Sequence, residues 1–121
     1  MEGNTDKDEI IFSATDPLGR DAILLNSTVE AKRFAHMDAS GLSIAETEEC
    51  ITHPSQIHVT AKVEEYPNRK IYYKIDKPML GRPPIRRVVV DHTQNPGIVV
   101  SWMRGSKLSK YDSIEYREAG A

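Results

Sequence analysis

Basic and aromatic residues are interleaved through the second half of this chain, a combination suited to an anionic partner that also carries flat rings. Residues 62–121 hold 12 Lys or Arg against 7 Asp or Glu, whereas residues 1–61 hold 4 against 11. The halves therefore stand at +5 and −7 around a net charge of −2. In the basic half, Lys70, Lys74, Arg86, Arg87, Lys107 and their neighbours alternate with Tyr66, Tyr72, Tyr73, Trp102 and Tyr111. Cations attract phosphates and aromatic faces stack on bases, so such a surface suits a nucleic acid. Acidic helices packed beside basic strands, both solvated, produce the same sorting.

Other chemistries find less support. His53, His58 and His92 lie on separate segments without a spacing that brings two imidazoles together, and the adjacent Asp91 and His92 would point to opposite faces of a strand. No metal site is expected. The single Cys50 excludes an internal disulfide and a multi-cysteine zinc site, and its helical apolar setting suits a small core residue. The glycines are isolated and no Gly-x-Ser-x-Gly elbow occurs, which sets aside nucleotide-dependent and serine-hydrolase readings and leaves no cofactor to expect. The start of the chain lacks a basic-then-apolar signal, and no run nears the ~18 apolar residues of a membrane span. The expectation is a cytoplasmic protein without a membrane partner.

A chain of 121 residues can bury one core. It reads as a single domain, 1–121, with frayed tails at 1–8 and 118–121. Residues 9–13 and 21–25 are short apolar runs flanking the turn residues Asp16, Pro17, Leu18 and Gly19, which predicts a β-hairpin. Ser27 or Thr28 can start a first helix, carrying Val29, Arg33, His36 and Met37 and ending at Gly41. Ser43 and Glu46 have capping-box spacing, Ile44, Thr47, Cys50 and Ile51 share one face of a second helix, and His53-Pro54 stops it.

Alternation over residues 57–63 predicts the next strand, residues 65–68 a turn, and residues 69–75, 85–91 and 98–103 three more strands. The fold class is thus α+β: an N-terminal hairpin, two helices, then a four-stranded antiparallel meander whose last two strands are central. On the strand over 69–75, Arg69, Ile71, Tyr73 and Ile75 share one face and Lys70, Tyr72 and Lys74 the other. If the first set faces the core, Lys-Tyr-Lys is the exposed nucleic-acid face.

The stretches His36 to Ser43, Thr52 to Ile57, Arg69 to Tyr73, Val88 to Val90 and Gly97 to Ser101 resemble small domains of the barnase, EndoU, colicin nuclease and RelE-like superfamily, in its phage- and mobile-element-associated branches. The similarity covers roughly residues 9–103. It implies a metal-independent endoribonuclease of toxin or mobile-element type, in which the 2′-hydroxyl of RNA attacks its own phosphate. The resemblance implies His36 as acid or base, Arg69 as phosphate clamp, and Tyr72 or Ser101 as second donor. Lys70, Lys74, Arg86, Arg87 and Lys107 would hold the RNA, and a cognate inhibitor would be a natural protein partner.

Each of these residues also has a plainer role. His36 can be a satisfied surface histidine, Arg69 a solvated charge at a strand entrance, and Ser101, which shares a strand face with Val99 and Met103, a buried rim hydroxyl. Trp102 suits the core, and Lys107 and Lys110 suit a solubilising Ser-rich tail. Ala39 and Ser40 stand where such nucleases often carry further Arg or His. The competing function is a non-catalytic interaction module of the same fold, binding a partner protein or nucleic acid through its basic sheet.

Overall fold

The computed structural model describes residues 8–36 and 41–119, with the side chains of residues 33–36 outside the described set. The elements run β1 (Ile10–Thr15), β2 (Asp21–Leu25), α1 (Asn26–His36), α2 (Ile44–Thr52), β3 (Gln56–Val59), β4 (Arg69–Ile75), β5 (Ile85–Asp91), β6 (Gly97–Gly105) and β7 (Ser113–Arg117). All strands join one seven-stranded sheet in the order β1-β2-β6-β5-β4-β3-β7. Among the described strands, only β2 and β6 pair in parallel. The class is α+β.

Local chemistry explains the element ends. The Glu46 N–H donates to Ser43 Oγ at 3.0 Å and the Ser43 N–H to Glu46 Oε1 at 3.0 Å, a reciprocated capping box that starts α2. At the other end the His53 N–H donates to the Glu49 carbonyl at 2.8 Å, and Pro54 blocks continuation. The first hairpin closes through Gly19, whose φ of +87° suits a residue without a Cβ. The described part of α1 ends at His36; the expected boundary beyond it involves residues 37–40, outside the described set. Gly41 itself has a φ of +72°.

Three features differ from the sequence expectation. The four meander strands are β3 to β6, but they form part of a seven-stranded sheet, because the hairpin docks β2 alongside β6. The strand expected over residues 57–63 stops at Val59: the Lys62 carbonyl accepts from the N–H groups of Glu65 and Tyr66, and the resulting turn leaves Val63 exposed. The segment beyond residue 103 is more than a tail, since β7 adds to the free edge of β3.

The sheet has one covered and one open face. On the covered face, Leu24, Tyr72, Val88, Val90, Val99 and Trp102 pack with Val29 of α1 and with Cys50 and Ile51 of α2. On the other face a smaller cluster of Ile71, Tyr73, Ile85 and Val89 is flanked by Val100 and Leu108, with neither described helix contributing to it. A β-bulge in β6 affects which residues reach that face. Val89 pairs with Ser101 and Val90 with Val99, leaving Val100 unmatched. One extra residue reverses the alternation, so Ser101 leaves the face of Val99 and lines the open side together with Val100.

Candidate functional site

A cleft of about 610 Å³ lies on the open face. Its floor is formed by Ile71 and Tyr73 of β4, Arg87 and Val89 of β5, and Val100 and Ser101 of β6. The turn after β3, with Lys62 and Tyr66, and the segment with Ser109, Tyr111 and Asp112, which meets that turn at Ala61, complete the lining. Three cations, Lys62, Arg69 and Arg87, and one carboxylate, Asp112, are among the lining residues. Opposite charge concentrated in a concave surface draws anions toward it.

The cations differ in how much of their charge is already engaged. The Arg69 guanidinium sits over the Tyr66 ring, 4.1 Å from its centroid, and its Nε lies 3.3 Å from Asp91 Oδ2. This pairing holds the two side chains as a flat platform at the cleft rim. Arg87 has no carboxylate partner among the described residues, and Lys62 is exposed. Asp112 is turned away from a ligand: its Oδ1 accepts from the Ala61 N–H at 2.9 Å and its Oδ2 lies 3.5 Å from His58 Nδ1.

His58 underlies the floor. Its ring meets that of Tyr73 edge-on at 4.6 Å between centroids, and its Nε2 lies 2.7 Å from Gln56 Oε1. Burial pulls its pKa below the ordinary histidine value, more strongly than the Asp112 carboxylate pulls it up. The imidazole is therefore neutral at neutral pH.

The residues singled out from sequence separate into two groups. Arg69 and Ser101 line the one cleft, and Arg87 lies further along its floor, level with Tyr73. Tyr72 does not join them. It is 0% exposed on the covered face, its hydroxyl donates to Asp16 Oδ2 at 2.6 Å, and His92 Nε2 lies 3.0 Å away. Burial first, and then the Asp16 hydrogen bond, raise the phenol's pKa far above its ordinary value, so it holds its proton, directed at Asp16, and does not release it near neutrality. His36 is the last described residue of α1, and its side chain falls outside the described set.

The expected Lys-Tyr-Lys face is inverted. Lys70, Tyr72 and Lys74 project to the covered side, because Tyr72 lies opposite Ile57 and Val88 in the sheet and joins their core. Lys70 Nζ lies 3.4 Å from Glu115 Oε2, and Lys74 Nζ donates to the His53 carbonyl at 2.8 Å. Arg86 is committed to Asp76 at 2.9 Å and Glu49 at 2.8 Å. Lys107 is exposed and stands outside the cleft.

Several cleft residues had little sequence signal. Tyr73 belongs to a strand that is apolar on both faces, so alternation alone could not assign its side. Tyr66 stood in a turn, where its spacing of three from Arg69 was the available hint. Asp112 came from a segment read as tail. Elsewhere, Cys50 Sγ donates to the Tyr72 carbonyl at 3.3 Å and burial pushes its pKa up to about 12, which leaves the thiol unreactive. Among the described residues no group of three or more His, Cys, Asp or Glu could hold a metal ion. No helix among them is long and apolar enough to cross a membrane.

A scan against protein-family models matches none, and searches of curated proteins and of solved structures return no significant match.

Proposed function

We propose that this chain is a binding module that takes a segment of single-stranded RNA into the open-face cleft. The observation that carries this reading is the lining: Lys62, Arg69 and Arg87 beside Tyr66, Tyr73 and Tyr111, with Asp112 as the one acid, one of its oxygens bonded to the Ala61 N–H and the other buried beside His58. Cations follow a phosphate backbone, and aromatic faces stack on bases without regard to sequence. Tyr111 is 80% exposed and free to take up a stacked base.

A nuclease reading is favoured by one further observation, the presence of Arg69 and Ser101 in the same cleft. It requires an acid–base group, which the superfamily resemblance assigns to His36. In this reading Arg69 holds the scissile phosphate and Ser101 stands as the second donor in place of Tyr72.

Fluorescence anisotropy with a labelled single-stranded RNA, read at several salt concentrations, tests binding. Affinity should fall steeply with salt, with a logarithmic slope of about −0.7 per phosphate contacted. A salt-insensitive interaction, or none at micromolar protein, would reject the RNA reading. The same samples incubated with EDTA and analysed for 2′,3′-cyclic phosphate ends separate the two readings. Cleavage abolished by His36→Ala and Arg69→Ala would identify an enzyme, and intact RNA would identify a binding module.

A further inference from the structure

Tyr73 is 1% exposed, yet its hydroxyl has no hydrogen-bond partner among the described residues and is not one of the fully enclosed polar atoms. The residue lines the cleft, so the sliver of it that meets solvent opens there. A phenol this enclosed, with its hydroxyl unpaired in the protein and open to the cleft, can donate to a group that enters there. Directly across the β4–β5 ladder from Tyr73 is Arg87. Residues so paired have their Cβ atoms about 4.5–5.5 Å apart and share one face of the sheet.

Arg87 is one of two arginines with described side chains, the other being Arg117 in β7, that lack a carboxylate partner. Arg20, Arg69, Arg82, Arg86 and Arg104 each have a carboxylate within 4.0 Å, whereas Arg87 has neither an ion pair nor a hydrogen bond. An unengaged guanidinium and an unengaged hydroxyl on adjacent strands, at the bottom of one cleft, form a two-donor cradle for a small oxyanion. Both donate in that role, and the fixed guanidinium charge suits the anionic oxygens of a phosphate. Asp112, the one acid in the lining, faces His58 and Ala61 instead.

We infer that Tyr73 and Arg87 form a phosphate-binding subsite on the cleft floor, distinct from the Tyr66–Arg69 platform at its rim. Tyr73 and Arg69 lie four residues apart on β4, roughly 13 Å at the strand rise. A nucleotide stacked at the rim would thus place a phosphate further along the strand over the floor. The subsite rests on the single-stranded RNA reading for its source of phosphate, an internal phosphodiester. A free phosphomonoester presents the same oxyanion.

The test uses the intact chain with two probes, inorganic phosphate and a hexauridylate that has hydroxyl groups at both ends. Binding is followed by two-dimensional amide and Arg Nε–H NMR, comparing the parent with Tyr73→Phe, Arg87→Gln and, as a control, Lys77→Gln. Tyr73→Phe keeps the ring against His58, and a thermal melt checks that each variant folds. The expected result is that phosphate shifts the Arg87 Nε–H and Tyr73 signals, and that each cleft variant weakens both probes by about tenfold while the control does not. If hexauridylate binds the parent and both cleft variants equally, the subsite is refuted while the RNA reading survives. If phosphate binds at Tyr73 and Arg87 but hexauridylate does not bind, the subsite stands with a phosphomonoester as its ligand and the RNA reading fails. Absence of any response to phosphate at millimolar concentration, with variants indistinguishable from the parent, overturns the inference.

Discussion

The hydroxyl of Tyr72, in β4, donates to the carboxylate of Asp16, at the turn between β1 and β2, across 2.6 Å. The first hairpin therefore curls over the covered face until its turn touches the middle of the sheet. Arg20 extends the contact by bridging Asp16 at 2.9 Å and Glu115 of β7 at 2.7 Å. A turn at one edge of the sheet is thereby tied to the strand at the other. The polar groups are satisfied by one another inside the covered layer, which is why they add nothing to the cleft on the opposite face.

Replacing Tyr72 with Phe should test this closure. The ring packing is retained while Asp16, whose side chain is fully buried, loses its shortest donor. Loss of one hydrogen bond to a charged acceptor is expected to lower stability by about 1.5–3 kcal/mol. Urea denaturation measures it, and an unchanged midpoint would mean that the hairpin turn is not anchored by this contact.

A second closure lies between α2 and the sheet. Asp76 Oδ2 accepts from Arg86 Nε and Arg104 Nη1, both at 2.9 Å, and those arginine side chains are 10% and 3% exposed. Glu46 and Glu49 of α2 complete the cluster. Asp76→Asn would leave two buried guanidinium groups short of a negative charge, and a loss of about 3–5 kcal/mol is expected. Asp76→Asn with Arg86→Met together should recover part of that loss. A double variant no better than the single one would show that the cluster does not act as a charge-balanced unit.

These clusters explain what was legible in the sequence and what was not. The capping box at Ser43 and Glu46 and the turn around Gly19 could be read because both partners lie within a few residues of each other. Arg104 finds Glu46 across 58 residues, a pairing that no local pattern reveals. Counting charges by halves identified a basic surface but could not show that Lys70, Lys74 and Arg86 are spent on the covered face. The two faces of β4 are both apolar at Ile71, Tyr72 and Tyr73, so strand alternation left the orientation open. The bulge in β6 then moved Ser101 to the face opposite Val99. Arg69 and Ser101 reached the same cleft, whereas Tyr72 was drawn into the core that its size helps to fill.

The pH dependence of stability should show two stages. Burial lowers the pKa of His58 despite Asp112, and burial with the Arg20 charge lowers that of His92. Both histidines are thus easier to protonate in the unfolded chain, and their contribution is complete above about pH 6.5 and declines as pH falls below it. Burial pulls Asp16, Asp76 and Glu115 upward, but Tyr72 and Arg20 at Asp16, Arg86 and Arg104 at Asp76, and Arg20 and Lys70 at Glu115 bring each below its ordinary value. Their contribution is complete above about pH 4 and is lost as pH drops further through the lowered folded values. Unfolding free energy measured from pH 8 to 3 should decline gently from about 6.5 and steeply below about 4. His58→Gln should flatten the upper stage. A parent curve flat between pH 7 and 5 would contradict the neutral buried imidazoles.

The last prediction contrasts the two faces of β4 directly. If RNA enters the open-face cleft, the lysines that made the sequence look basic should be bystanders. Lys70 is held by Glu115 and Lys74 by the His53 carbonyl, both on the covered side. Lys70→Gln and Lys74→Gln are expected to leave RNA affinity within about twofold and the salt slope unchanged, apart from a weak, screened effect of net charge. Lys62→Gln removes an exposed cation from the cleft wall and should reduce the slope by about 0.7, the signature of one lost single-strand phosphate contact. Anisotropy titrations at three salt concentrations decide between the faces. A large loss in the Lys70 or Lys74 variant, with Lys62→Gln silent, would move the interface to the covered side and leave the cleft without RNA, because no rotation of those side chains brings them through the sheet.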